Sequence, residues 1–160
     1  MTASACAAPR NPRDSSRYGQ RREGGPKDDA EFERWRAEAD RALAGARVQA
    51  EAGLHNWACF AAEQAAQLAT KALLHGLGRG PWGYDLVRLG ELAVASGVEL
   101  PTEVLDAMRR LGRHYIPARY PDAHPTGSAA AHYAAADSAE AIGDAERILD
   151  AVDRAWGSLR

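Results

Sequence analysis

A chain of 160 residues, 46% apolar and 26% charged, has room for one domain of ordinary size with one core. Alanine supplies much of that apolar fraction. A sheet core calls for β-branched and aromatic residues, whereas helices accept alanine without loss of side-chain entropy, so the composition points away from a β fold. Two cysteines, Cys6 and Cys59, exclude a disulfide framework.

The formal net charge of −2 is unevenly spread. Residues 1–27 carry Arg10, Arg13, Arg17, Arg21, Arg22 and Lys27 against Asp14 and Glu23, a local balance of +4. Rich also in Ser, Gly and Pro, this stretch reads as a disordered Arg-rich tail, and residues 28–158 as a helical domain. Lys27 and Lys71 are the only lysines. Arginine in their place suits phosphate recognition, and GC-rich coding DNA produces the same bias. With no apolar run of transmembrane length and no hydrophobic signal core, the expectation is a cytoplasmic protein without a membrane partner.

The first helix is predicted to begin at Asp28-Asp29, where acidic residues suit a helix N-terminus. Phe32, Trp35, Ala39, Ala42, Leu43, Ala46 and Ala50 recur at three- and four-residue steps behind it, up to a break at Gly53. A second helix spans His55 to His75, with Trp57, Ala61, Ala65, Leu68, Ala72 and Leu73 on one face. Gly76, Gly78, Gly80 and Pro81 end it. A third runs near Tyr84–Ser96 on Leu86, Leu89, Leu92 and Ala93. Pro101-Thr102-Glu103 opens a fourth, with Val104, Leu105, Met108 and Leu111 facing its core. Pro117 and Pro121 forbid continuation, so Tyr115–Ser128 is predicted as an ordered loop. The last helix carries Ile142, Ala145, Leu149, Val152 and Trp156. The architecture expected is all-α: an up-and-down antiparallel bundle of four to five helices.

Two stretches are more specific. Cys59-Phe60-Ala61-Ala62-Glu63-Gln64-Ala65-Ala66 leads to Lys71-Ala72-Leu73-Leu74, and Arg113-His114-Tyr115-Ile116-Pro117-Ala118-Arg119-Tyr120-Pro121-Asp122 follows the fourth helix. The first resembles the second helix of HEPN domains, and the second closely resembles the Tyr-Ile-Pro-x-Arg-Tyr-Pro-Asp segment of that family. Gly83-Tyr84-Asp85-Leu86 is similar to a third element, in which the family commonly has His at the place of Tyr84.

The resemblance implies an RNA- or nucleotide-directed protein. Active HEPN proteins cut RNA without metal, usually as homodimers, through an Arg, four to six residues, then His. Arg109 and His114 stand at that spacing, with histidine for proton transfer and arginine for the phosphoryl oxygens. Arg110, Arg113, Tyr115, Arg119 and Tyr120 are the candidate substrate-binding residues. On a straight helix, however, Arg109 and His114 are about 140° from facing, so they converge only where the helix end unwinds or a second subunit completes the site. Arg110 and His114 share a face more naturally. Arg119 and His124 also have four residues between them, on a loop. The tyrosine that a partner nucleotidyltransferase modifies in some HEPN toxins corresponds to Ile116 here, with Tyr115 one place earlier. His55, His75, His124 and His132 lack ligand spacing, and neither a metal nor a cofactor is expected.

Two functions are therefore expected from the sequence. One is a metal-independent endoribonuclease, the toxin half of a pair with a nucleotidyltransferase. The alternative is a non-catalytic module that binds a nucleotide or such a partner. For Arg119 an ion pair with Asp122 or Asp85, fastening the loop, stands beside a role in binding phosphate.

Overall fold

The computed structural model describes residues 26–160, so most of the predicted tail lies outside the described residues. Five helices form the rest: α1 (Asp29–Glu51), α2 (His55–Gly76), α3 (Leu86–Ala95), α4 (Thr102–Gly112) and α5 (Ala135–Leu159). No strand occurs among the described residues. Asp28 is the N-cap of α1, its carboxylate accepting from the Glu31 amide at 3.0 Å.

Helix α2 is the axis of the bundle and packs against all four others. Fourteen of its 22 residues are buried, so it is enclosed on nearly every side rather than along one stripe. Alanine lets its neighbours come close. Gly76 takes this furthest: a Cβ there would sit 2.6 Å from the Trp156 ring, which itself stacks on Phe32 at 4.5 Å. Trp35, expected in the core, lies half-buried, stacked on His75 with its indole N–H donating to Glu31.

Helices α1 and α2 are antiparallel, with the Asp28 amide donating to the Gly76 carbonyl at 2.8 Å. Helix α5 runs antiparallel to α1, clasped by Arg36 on Asp153, Arg47 on Glu146 and Arg160 on Asp29. It therefore runs parallel to α2, and only its contacts with α1 and α4 have the expected up-and-down sense. The reason is the long link 113–134, which turns the chain at the His55 end of α2. Two short 3-10 turns, Pro121–Ala123 and Ala129–His132, order this link.

The third helix starts later than its hydrophobic pattern predicts. Asp85 caps it, accepting from the amides of Val87 and Arg88, which leaves Tyr84 outside in the α2–α3 link. Leu92 is also half out of the core, because α3 lies at the edge against α2 and α4 alone.

Candidate RNA-binding site

The site begins where α4 stops. Its last turn tightens as the His114 amide donates to Leu111, and Pro117 offers no amide to extend it. Ala118 is fully buried, and its carbonyl accepts from the buried Asn56 side chain of α2 at 2.9 Å. That anchor holds the 113–120 segment on the bundle and turns Arg119 to the surface.

Arg119 lies among aromatic rings. Its guanidinium carbon is 4.4 Å from the Tyr115 ring centre, 4.6 Å from Phe60 and 4.8 Å from Tyr120, within the range of cation–π attraction. Tyr84 stacks on Tyr115 at 4.8 Å, with the ring planes 8° from parallel. Trp57 meets Phe60 edge-on at 6.2 Å. The Nε–H of Arg119 donates to the Tyr115 carbonyl at 2.8 Å. Among the described residues no carboxylate lies within ion-pair distance of Arg119, so the pairing expected with Asp122 or Asp85 does not form. Tyr84, Tyr120 and Trp57 keep 62%, 46% and 43% of their surface exposed, so the cradle opens to solvent.

Beneath the cradle α2 buries a carboxylate. Glu63 has no exposed surface, and its two oxygens accept from the side-chain amides of Gln64 at 2.8 Å and Gln67 at 2.6 Å. The same Gln67 nitrogen donates to the Tyr84 carbonyl at 2.8 Å and so ties the α2–α3 link to the helix. Burial pushes the Glu63 carboxyl up to about 7, against the opposing pull of its two amide bonds and of the Arg119 and Lys71 charges. Burial also lowers Lys71 below the usual lysine range, partly offset by Glu63.

A second group flanks the cradle on the other side of Tyr115. His114 is hydrogen-bonded through Nδ1 to the Tyr133 hydroxyl at 3.2 Å, Tyr133 meets His124 edge-on, and His124 stacks on His132 at 4.2 Å. His124 and His132 hold the carbonyls of Pro117 and Thr126 through Nε2, which pins the link. Burial lowers His114 below the ordinary imidazole value, more than the nearby acids Asp137, Glu140 and Asp144 raise it, so the ring is neutral at pH 7. Cys59 is buried, its thiol pushed up to about 12 by burial, and is not a nucleophile. Among the described residues no three His, Cys, Asp or Glu side chains gather as a metal site would need.

The remaining predicted residues disperse. Arg109 pairs with Asp106 at 2.6 Å and lines a groove of about 280 Å³ between α3 and α4, with Val87, Val94, Leu105 and Met108. The chain does not bring it to His114, because α4 keeps its helical phase through Arg109 and directs it to another face. Arg110 is held by Asp144 of α5 through two bonds of 2.7 Å, so it fastens α4 to α5. Arg113 is exposed, without an ion-pair partner among the described residues. Tyr115, Arg119 and Tyr120 do converge. Phe60, Trp57, Glu63, Gln67 and Tyr133 join them without having been predicted as site residues. The polar pair Glu63 and Gln67 inside an alanine-rich, enclosed helix is a usable signal in the sequence. Nothing in the local sequence marks Tyr133.

Comparison with known proteins agrees with this architecture. The family profile of the HEPN domain matches residues 32–155. The chain belongs to the HEPN family. Among solved structures, the protein TT1696 of Thermus thermophilus is 37% identical, with a TM-score of 0.74 over 77% of this chain and 96% of that one. An archaeal HEPN homologue, ST0689, is 31% identical, with a TM-score of 0.66 over 81% and 98%. A HEPN domain protein of Thermotoga maritima is 28% identical, with a TM-score of 0.64 over 78% and 98%. No curated protein matches the chain. Among the described residues of this HEPN protein, no helix is long and apolar enough to cross a membrane.

Proposed function

We propose that this HEPN protein binds single-stranded RNA on the Arg119 cradle. The observation that carries the reading is a guanidinium held by three rings, with its Nε spent on a backbone carbonyl and no carboxylate paired to it among the described residues. Its terminal nitrogens are then available to phosphoryl oxygens, while Tyr84, Tyr120 and Trp57 offer faces to bases. Removing the arginine tests this. Arg119→Ala should weaken binding of a labelled single-stranded oligoribonucleotide about tenfold or more, measured by fluorescence anisotropy. Unchanged affinity in the folded variant would remove the cradle from the reading.

The catalytic form of the same reading is a metal-independent endoribonuclease, acting as the toxin half of a pair with a nucleotidyltransferase. It is favoured by one observation: a neutral His114, held by Tyr133, stands next in sequence to the cradle residue Tyr115. A neutral imidazole can take the 2′-hydroxyl proton, and Arg119 can hold the phosphoryl oxygens. Arg109 joins such a site only from a second copy of the chain. His114→Ala should slow cleavage of a structured RNA about 10²–10⁴-fold in excess chelator, with products of the wild type ending in a 2′,3′-cyclic phosphate. Equal cleavage by both proteins, or none by either, would leave the non-catalytic binding module.

A further inference from the structure

The cradle has an acid of its own, and it is inside the protein. Glu63 stands on α2 between Phe60, one turn before it, and Gln67, one turn after it. Phe60 carries the Arg119 guanidinium at 4.6 Å, and Gln67 carries the backbone of Tyr84, whose ring stacks on Tyr115. The carboxylate is thus enclosed by the side of the cradle that faces the core. The charged groups that face it are Arg119 from the link after α4 and Lys71 from α2. The neutral ones are the amides of Gln64 and Gln67.

A carboxylate without exposed surface is costly unless neutralised by partners or by a proton. With no carboxylate paired to Arg119 among the described residues, the guanidinium supplies part of that neutralisation. A phosphate docking on Arg119 competes for that charge, and with Lys71 itself weakened by burial, keeping both anions ionised in a low-dielectric site becomes costly. We propose that Glu63 is the internal counter-ion of the cradle and that an anionic ligand binding to Arg119 drives one proton from the solvent onto Glu63. The only bond made on the protein is the carboxyl O–H, and the buffer supplies the proton. Because Glu63 already titrates at about 7, the exchange falls at neutral pH, where a small added field moves it. Linkage makes the effect reciprocal: affinity falls as rising pH ionises Glu63.

This inference rests on the RNA reading, with phosphodiester as the anion. Its test is calorimetric titration of the full chain with an oligouridylate, in buffers of different ionisation enthalpy, from about pH 6 to about pH 8.5. The wild type should take up roughly half a proton per bound site near pH 7.5, and bind roughly five- to tenfold more weakly at the alkaline end. Glu63→Gln should lose both the buffer-dependent heat and the pH slope. A carbon-13 titration of Glu63 in the wild type, with and without RNA, should show its midpoint rise on binding, and does not depend on the variant folding. RNA binding without proton uptake, or uptake retained in Glu63→Gln, overturns the proposal and leaves the RNA reading standing. No binding at all removes both.

Discussion

Between the acid range and neutrality, Glu63 makes the folded state hold a proton that the unfolded chain has released. Its carboxyl lies at about 7 in the fold against an ordinary 4.5. The stability this confers is complete below the ordinary value and is lost as pH rises through 7. A raised carboxyl of this size corresponds to roughly 3 kcal/mol over the whole window. Gln cannot ionise, so between pH 5 and pH 8.5 the stability of Glu63→Gln should improve relative to wild type by about that amount, read from urea unfolding. A difference independent of pH would show that another group titrates. His114 contrasts with Glu63. Burial lowers it, so the ring crosses neutrality uncharged.

At the scale of elements, one tight contact is where α2 ends against α1 and α5. Gly76→Ala would place a methyl 2.6 Å from the Trp156 ring and 3.1 Å from the Phe32 Cβ. The expected loss is about 1–3 kcal/mol in unfolding free energy. Gly45, within α1, would meet nothing within 4 Å, and Gly45→Ala should stabilise by about 0.5–1 kcal/mol. Destabilisation by both would mean that helix α1 is closed on that face by something other than solvent. The helices themselves are legible in the sequence, because apolar spacing and the Gly and Pro residues between helices are local signals. Asp28 capping α1 is one case, and Gly53 between α1 and α2 another. Tyr84 falls outside its expected helix because capping by Asp85 outweighs the apolar pattern that follows it. The cradle is only partly legible. Tyr115, Arg119 and Tyr120 share one segment, but Phe60 arrives from α2 and Tyr84 from the α2–α3 link, and packing alone brings them together. Where Arg110 is held is hidden from the sequence for a similar reason, since its partner Asp144 lies 34 residues away on α5.

For the whole molecule, the alanine-rich faces that suggest self-association are largely used inside the chain, around α2. The expectation of a homodimer therefore rests on the family resemblance and on the apolar side chains left outside, among them Val48, Leu54, Leu92 and Val94. Light scattering at micromolar concentration should give a mass near twice 17.2 kDa. A value near 17.2 kDa would also remove any route by which Arg109 of one copy reaches His114 of another.

The hydrogen bond from Asp28 to Gly76 and the ion pair from Arg160 to Asp29 place both ends of the folded domain at one pole of the bundle. Phe60 and Trp57 lie toward the other pole, about 24 and about 28 Å away at 1.5 Å per residue of α2. The domain is thus wired like a plug, with both leads on one side and the contacts on the other. A fusion partner, a surface tether or a dye attached at either end stands clear of the cradle. The two ends are also close enough to be joined by a short linker, with new ends opened at the exposed turn around Gly53. Such a circular permutant would keep every helix and change only the order in which they are synthesised, with its new ends opening at the pole that carries Trp57.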